Sequence, residues 1–190
     1  MCKEKMKCWI LSLALICGLL VITNSCTKEE PAVPKFEIGQ NYGGGIIFYI
    51  DSTARHGLIC ASYDQSAAIK WSNGTNLVTN AIKTGMGDGK ANTLAIVATQ
   101  GTGDYAAQIC NDLDINGYND WYLPSKSECF NMYFNLKIMR SLGNFTDAIY
   151  WSSTEASINN AYSQYSNDGY PPTGGYYKNT VNYVRAIRAF

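Results

Sequence analysis

The run Asp112-Leu113-Asp114-Ile115-Asn116-Gly117-Tyr118-Asn119-Asp120 puts oxygen-bearing side chains at the first, third, fifth and ninth positions of a loop, with glycine at the sixth. Calcium takes six to eight oxygen ligands, and this spacing supplies several of them. Position twelve is Leu123, where a calcium loop of this kind carries a bidentate Glu. Asp112, Asp114, Asn116 and Asp120 are therefore a candidate calcium set, and a hydrogen-bonded Asn/Asp turn is the alternative.

Residues 157–182 have a different character. Asn, Tyr, Ser, Gly and Asp make up 17 of these 26 residues, and Lys178 and Asp168 are the only charges. Tyr with Ser, Gly and Asn offers rigid amphipathic area beside adaptable hydrogen bonding, as in antibody paratopes. The candidate contacts are Tyr162, Tyr165, Asn167, Tyr170, Tyr176 and Tyr177, recognising a glycan or a protein. A plain solvated loop between strands is the competing reading. Trp121, Tyr122, Tyr150 and Trp151 are either stacking surfaces or core, and large aromatics in strand-like runs are more often core.

Little else in the chain is equipped for catalysis. There is one His in 190 residues, His56, so a multi-His metal site is impossible. It sits in an expected hairpin turn with no nucleophile at a readable spacing, and no catalytic residue is assigned. Basic and acidic residues balance at 15 each, which gives no broad field for nucleic acid. Arg185 and Arg188 are expected to pair within the fold, with Glu155 or Asp120 as partners.

Lys3, Lys5 and Lys7 precede a fourteen-residue apolar run, residues 9–22, and the polar TNSC follows it. A basic start and a short apolar run read as a secretory signal peptide, too short to span a bilayer. Thr23-Asn24-Ser25-Cys26 resembles a bacterial lipobox, so residues 1–25 are expected to be removed and Cys26 lipidated. Residues 26–36 then read as a tether. Lys28-Glu29-Glu30 is similar to the signal that exports Bacteroidetes lipoproteins to the outer face of the outer membrane. A membrane partner through this anchor follows, with the periplasmic face as the alternative location. Beyond Cys26, the mature part keeps Cys60, Cys110 and Cys129. Three thiols allow one disulfide or three buried apolar-like residues.

Residues 37–190 are expected to form one domain. Gly45 onward, IIFYI, reads as a strand, residues 51–56 as a hairpin turn, and 57–61 as the return strand. Ile69-Lys70-Trp71 is a short extended piece, and residues 73–90 a long loop. A helix is expected from about 91 to 100, with Leu94, Val97 and Ala98 on one face. A second covers 105–113 with Asp104 as its cap. A third runs from Ser125 to about Leu136, where Ser125 and Glu128 have capping-box spacing and Cys129, Met132, Tyr133 and Leu136 face inward. Tyr150 to Ser153 and Tyr183 to Phe190 read as strands. Strands at both ends with helices between them indicate an α+β class.

GGIIFYID…HGLICA, ICNDLDINGYNDWYLPSKSE, YWSSTE and the terminal VRAIRAF occur in this order over residues 38–190. As a set they resemble the Lcl C-terminal domain family, whose fold is similar to the C-type lectins and formylglycine-generating enzymes. The resemblance implies a C-type-lectin-like mixed domain with adjacent termini, helices between them, and a loop-rich ligand face. It also implies a surface or secreted protein with a non-catalytic, adhesin- or lectin-like role. The formylglycine-generating relatives use paired Cys residues near the chain end, and no Cys follows Cys129 here. A structural or assembly subunit is the alternative, and a polysaccharide hydrolase a third.

Overall fold

The structure, a computed structural model, describes residues 35–190 except Asp168 and Pro171. Cys26, the expected signal peptide and most of the expected tether lie outside the described residues.

The first sheet grows from a hairpin. β2 (Gly45–Ile50) and β3 (Gly57–Ala61) pair antiparallel with Ile47 opposite Ile59. The turn between them closes through Asp51 N donating to His56 O at 2.9 Å and Thr53 N donating to Asp51 Oδ1 at 3.0 Å. Gly45 is required by close approach, because a Cβ there would lie 2.0 Å from the carbonyl oxygen of Cys60. β1 (Asn41–Tyr42) adds to β2, and β9 (Ile187–Ala189) adds to the far side of β3. The two ends of the described domain meet where the Phe36 and Phe190 rings pack 4.8 Å apart.

The second sheet has the order β4-β8-β5-β6-β7, built from Ser66–Lys70, Val181–Val184, Ile149–Glu155, Asn160–Tyr165 and Gly175–Tyr177 respectively. Its pairs are antiparallel except β5 with β8. Three helices lie in sequence between β4 and β5: α1 (Gly89–Gln100), α2 (Ala106–Asn111) and α3 (Lys126–Met132), the last continuing as a π-helical stretch, Tyr133–Ile138. The fold is thus mixed α+β with few helices and mainly antiparallel sheets.

Strand alternation sends β2 and β3 side chains into two cores. Ile47 and Ile59 join Trp71, Ile96, Tyr105, Leu123 and Trp151. Phe48, Leu58 and Cys60 join Cys129, Met132, Tyr133, Leu136 and Tyr150. α3 begins with the anticipated capping box, Ser125 Oγ accepting from Glu128 N while the Glu128 carboxylate accepts from Ser125 N. Cys60, Cys110 and Cys129 are free and buried.

Four expectations need correcting. α1 turns Asn92, Thr93 and Ile96 inward and leaves Leu94 exposed. The polar pair is buried because it satisfies irregular backbone: Asn92 Nδ2 donates to Lys83 O at 2.7 Å, and Thr93 Oγ1 accepts from Leu123 N at 3.0 Å. α2 is capped at Tyr105 with no side-chain cap, so Asp104 does not serve. The final strand is broken at Arg185-Ala186, where the chain leaves one sheet for the other. Residues 157–182 contain β6, β7 and the first two residues of β8, rather than loop alone.

Candidate functional site

β6 carries Ala161, Ser163 and Tyr165 on one face and Tyr162 and Gln164 on the other, by strand alternation. Its partner β5 sets Ser163 opposite Trp151 and Tyr165 opposite Ile149. β7 follows on the outer side, with Tyr176 opposite Ala161 and Tyr177 opposite Asn160. The connection between β6 and β7 is held by hydrogen bonds at its start and near its middle. Ser166 Oγ donates to Thr146 O at 2.6 Å, and Gln164 Nε2 donates to Tyr170 O at 3.1 Å.

These elements enclose a cleft of about 300 Å³ with walls from Ile149, Ser163, Tyr165, Tyr170, Thr173 and Tyr176. None of its described lining residues carries a charge. Tyr165, Tyr170 and Tyr176 are 47%, 75% and 45% exposed, so much of their ring area faces solvent. Ser163 is only 5% exposed, and its hydroxyl has no hydrogen-bond partner among the described residues.

Three of the six sequence candidates therefore come together: Tyr165, Tyr170 and Tyr176. Tyr162 is half-buried, with Lys126 Nζ 4.3 Å from its ring centroid. Tyr177 is exposed beside Tyr176, and by alternation it points to the other face. Asn167 lines a separate hollow of about 430 Å³ with Lys137, Ser141 and Asn144. Sequence reading missed Ser163 and Ile149. The signal was the two-residue spacing of Ser163 and Tyr165, hidden by a composition that reads as loop.

The proposed calcium residues form a tight turn. Asn116 and Gly117 have φ of 57° and 83°, and Ile115 and Tyr118 exchange backbone bonds of 3.0 and 3.1 Å. This is the Asn-Gly hairpin geometry that positive φ at both central residues demands. Asp112 ends α2 and accepts from Gln108 Nε2 at 2.8 and 2.9 Å. Asp114 Oδ1 accepts from Gly117 N at 2.8 Å. Asp120 receives Arg188 Nε at 2.6 Å and Nη2 at 3.2 Å. Among the described residues no three His, Cys, Asp or Glu side chains converge as metal ligands. Burial pushes the Asp120 carboxyl up, but the hydrogen bonds and charge of Arg188 outweigh it and hold the group below its ordinary value.

The second arginine pairs elsewhere. Arg185 Nε donates to Asp64 Oδ1 at 2.7 Å, while Glu155, its other anticipated partner, binds Lys178. Trp121 and Trp151 are 3% and 0% exposed, which assigns them to the core.

No family model matches the chain, and no curated protein matches it. Among solved structures, a fimbrial protein from Bacteroides ovatus ATCC 8483 is similar at a TM-score of 0.50 and 16% identity. The likeness covers 75% of this chain and 43% of that one, so the chain spans less than half of that protein's length. At this identity the likeness concerns the fold. Among the described residues no helix is long and apolar enough to cross a membrane.

Proposed function

We propose that this chain is a lipid-anchored, outward-facing binding domain, adhesin- or lectin-like and non-catalytic, that recognises a glycan or a protein. Its fold is read as C-type-lectin-like, in keeping with the Lcl C-terminal resemblance. The observation that carries this reading is the trio Tyr165, Tyr170 and Tyr176 standing exposed around a cleft whose described lining carries no charge. Rings of that kind gain contact area at low entropic cost, and their phenols add hydrogen bonds.

The test is binding of the intact chain in detergent to a broad glycan and mucin array, with calcium and with chelator. Specific signals are expected that survive chelation and vanish in the Tyr165→Ala/Tyr170→Ala/Tyr176→Ala variant. Signals unchanged in that variant would place recognition elsewhere.

The likeness to a fimbrial protein favours a second reading, a structural or assembly subunit of a surface appendage or envelope complex. Co-purification in fixed stoichiometry with envelope proteins, coupled to a blank array, supports that reading over the first.

A further inference from the structure

A hydroxyl group both donates and accepts, and a buried one left without a partner costs stability. Ser152 Oγ and Ser166 Oγ, on the neighbouring strand and at the end of β6, bond to Tyr162 O at 2.8 Å and Thr146 O at 2.6 Å. Ser163 Oγ has no such bond among the described residues, although its side chain is buried at the wall of the tyrosine cleft. Ser163 lines the cleft, so a group entering there is the candidate partner for that hydroxyl.

Three features define that group. The described lining is uncharged, so a sulfate, phosphate or carboxylate meets no counter-charge. The nearby cations Lys126 and Lys137 are engaged, one over the Tyr162 ring and the other by Asp147. Three phenol rings offer flat apolar faces with polar rims. The volume, about 300 Å³, is at the low end for small-ligand sites, which suits a single ring or the end of a chain.

Resting on the reading of this cleft as the binding site, we infer that it takes the ring of a neutral pyranose. The sugar's C–H face lies against Tyr170 or Tyr176, and one ring hydroxyl pairs with Ser163 Oγ. Ser163 is the specificity-determining residue, because it distinguishes a hydroxylated ring from a purely apolar one.

The experiment uses the intact ¹⁵N-labelled chain in detergent micelles, titrated with neutral methyl pyranosides of glucose, mannose, galactose and N-acetylglucosamine. A sulfated disaccharide serves as the charged probe. A neutral pyranoside is expected to shift the amide resonances of residues 163–165 and 173–176, with a Kd indifferent to salt. Ser163→Ala weakens that binding about fivefold, the loss of one neutral hydrogen bond, and leaves the thermal midpoint unchanged or raised. Tyr176→Ala weakens it by a similar or larger factor.

Failure of every neutral pyranoside to shift these resonances at about 50 mM, far weaker than the roughly 4 kcal/mol of a millimolar site, overturns the inference. Preference for the sulfated probe, or binding unaffected by Ser163→Ala, overturns it too. Should a protein ligand bind this face and be lost in Tyr176→Ala while no sugar binds, the sugar inference falls and the site reading survives. If the tyrosine variants alter nothing, both fall.

Discussion

Lys178 and Glu155 meet as an ion pair closed off from solvent, their side chains 0% and 3% exposed. The Glu155 carboxylate also accepts from Thr79 N at 3.0 Å and Asn80 N at 3.1 Å, while Lys178 Nζ donates to Leu77 O at 2.9 Å. The ammonium stands 4.6 Å from the centroid of Trp71. The pair thus pins the long loop after β4 to the ends of β5 and β7. Removing one member of a buried pair strands the other charge, so Lys178→Met is expected to cost about 3–5 kcal/mol in chemical denaturation. Lys178→Met/Glu155→Leu is expected to recover little, because the N–H groups of Thr79 and Asn80 then lose their acceptor. Full recovery in the double variant would show that the carboxylate's backbone bonds contribute nothing.

Asp120 gives the acid limb of the stability profile. Its native value lies below the ordinary one for Asp, about 3.9. A depressed carboxyl stabilises the fold above the unfolded value, and that contribution is lost as pH falls through the native value. Asp120→Asn is expected to flatten the acid loss, measured as ΔG of unfolding between neutral pH and about pH 2.5.

The same engagement governs calcium. With Asp120 held by Arg188, Asp112 by Gln108 and Asp114 by Gly117, ion entry must break three existing arrangements. The thermal midpoint is expected to stay within error when excess calcium replaces chelator. A rise of several degrees would mean that the turn opens to bind the ion.

The three described thiols offer a separate check. Burial pushes the Cys60 thiol up to about 12, and drives Cys110 and Cys129 upward as well. Since the thiolate is the reactive form, none of the three should react with an aromatic disulfide reagent at pH 8 until the domain is unfolded. Stoichiometric reaction of the native protein would contradict their burial.

What could be read from sequence was local. The Ser125/Glu128 box and the inward row Cys129, Met132, Tyr133 and Leu136 depend on spacing within one helix, and the 45–61 hairpin on spacing within one turn. Features set by distant partners were hidden. Asn92 and Thr93 face inward because Lys83 and Leu123 present unpaired backbone there. Arg185 interrupts the last strand because Asp64, Ala61 and Gly143 receive its guanidinium. The candidate site was half legible for the same reason: tyrosine-rich composition marked the region, but only the β5–β6–β7 register sorts Tyr165 and Tyr176 from Tyr162 and Tyr177.

Glu128 supplies a titration of opposite sign to Asp120. Its carboxylate gathers Ser125 N at 2.7 Å, Gly87 N at 2.9 Å, Gly89 N at 3.1 Å and the Tyr122 hydroxyl at 3.4 Å. It thereby joins the start of α3 to the start of α1, and Gly89 must lack a side chain, since a Cβ there would sit 2.3 Å from Glu128 Oε2. Burial raises the Glu128 value, and the backbone bonds oppose the rise without cancelling it. A raised carboxyl stabilises the fold below the unfolded value, about 4.3, and that contribution is lost as pH rises through the native value. Glu128→Gln keeps the shape but turns an amide group toward N–H donors, so it is expected to cost about 1–3 kcal/mol. It should also remove the decline in stability above about pH 4.3 that Asp120→Asn leaves intact. An unchanged pH slope in Glu128→Gln would show that this carboxyl is not the group that titrates there.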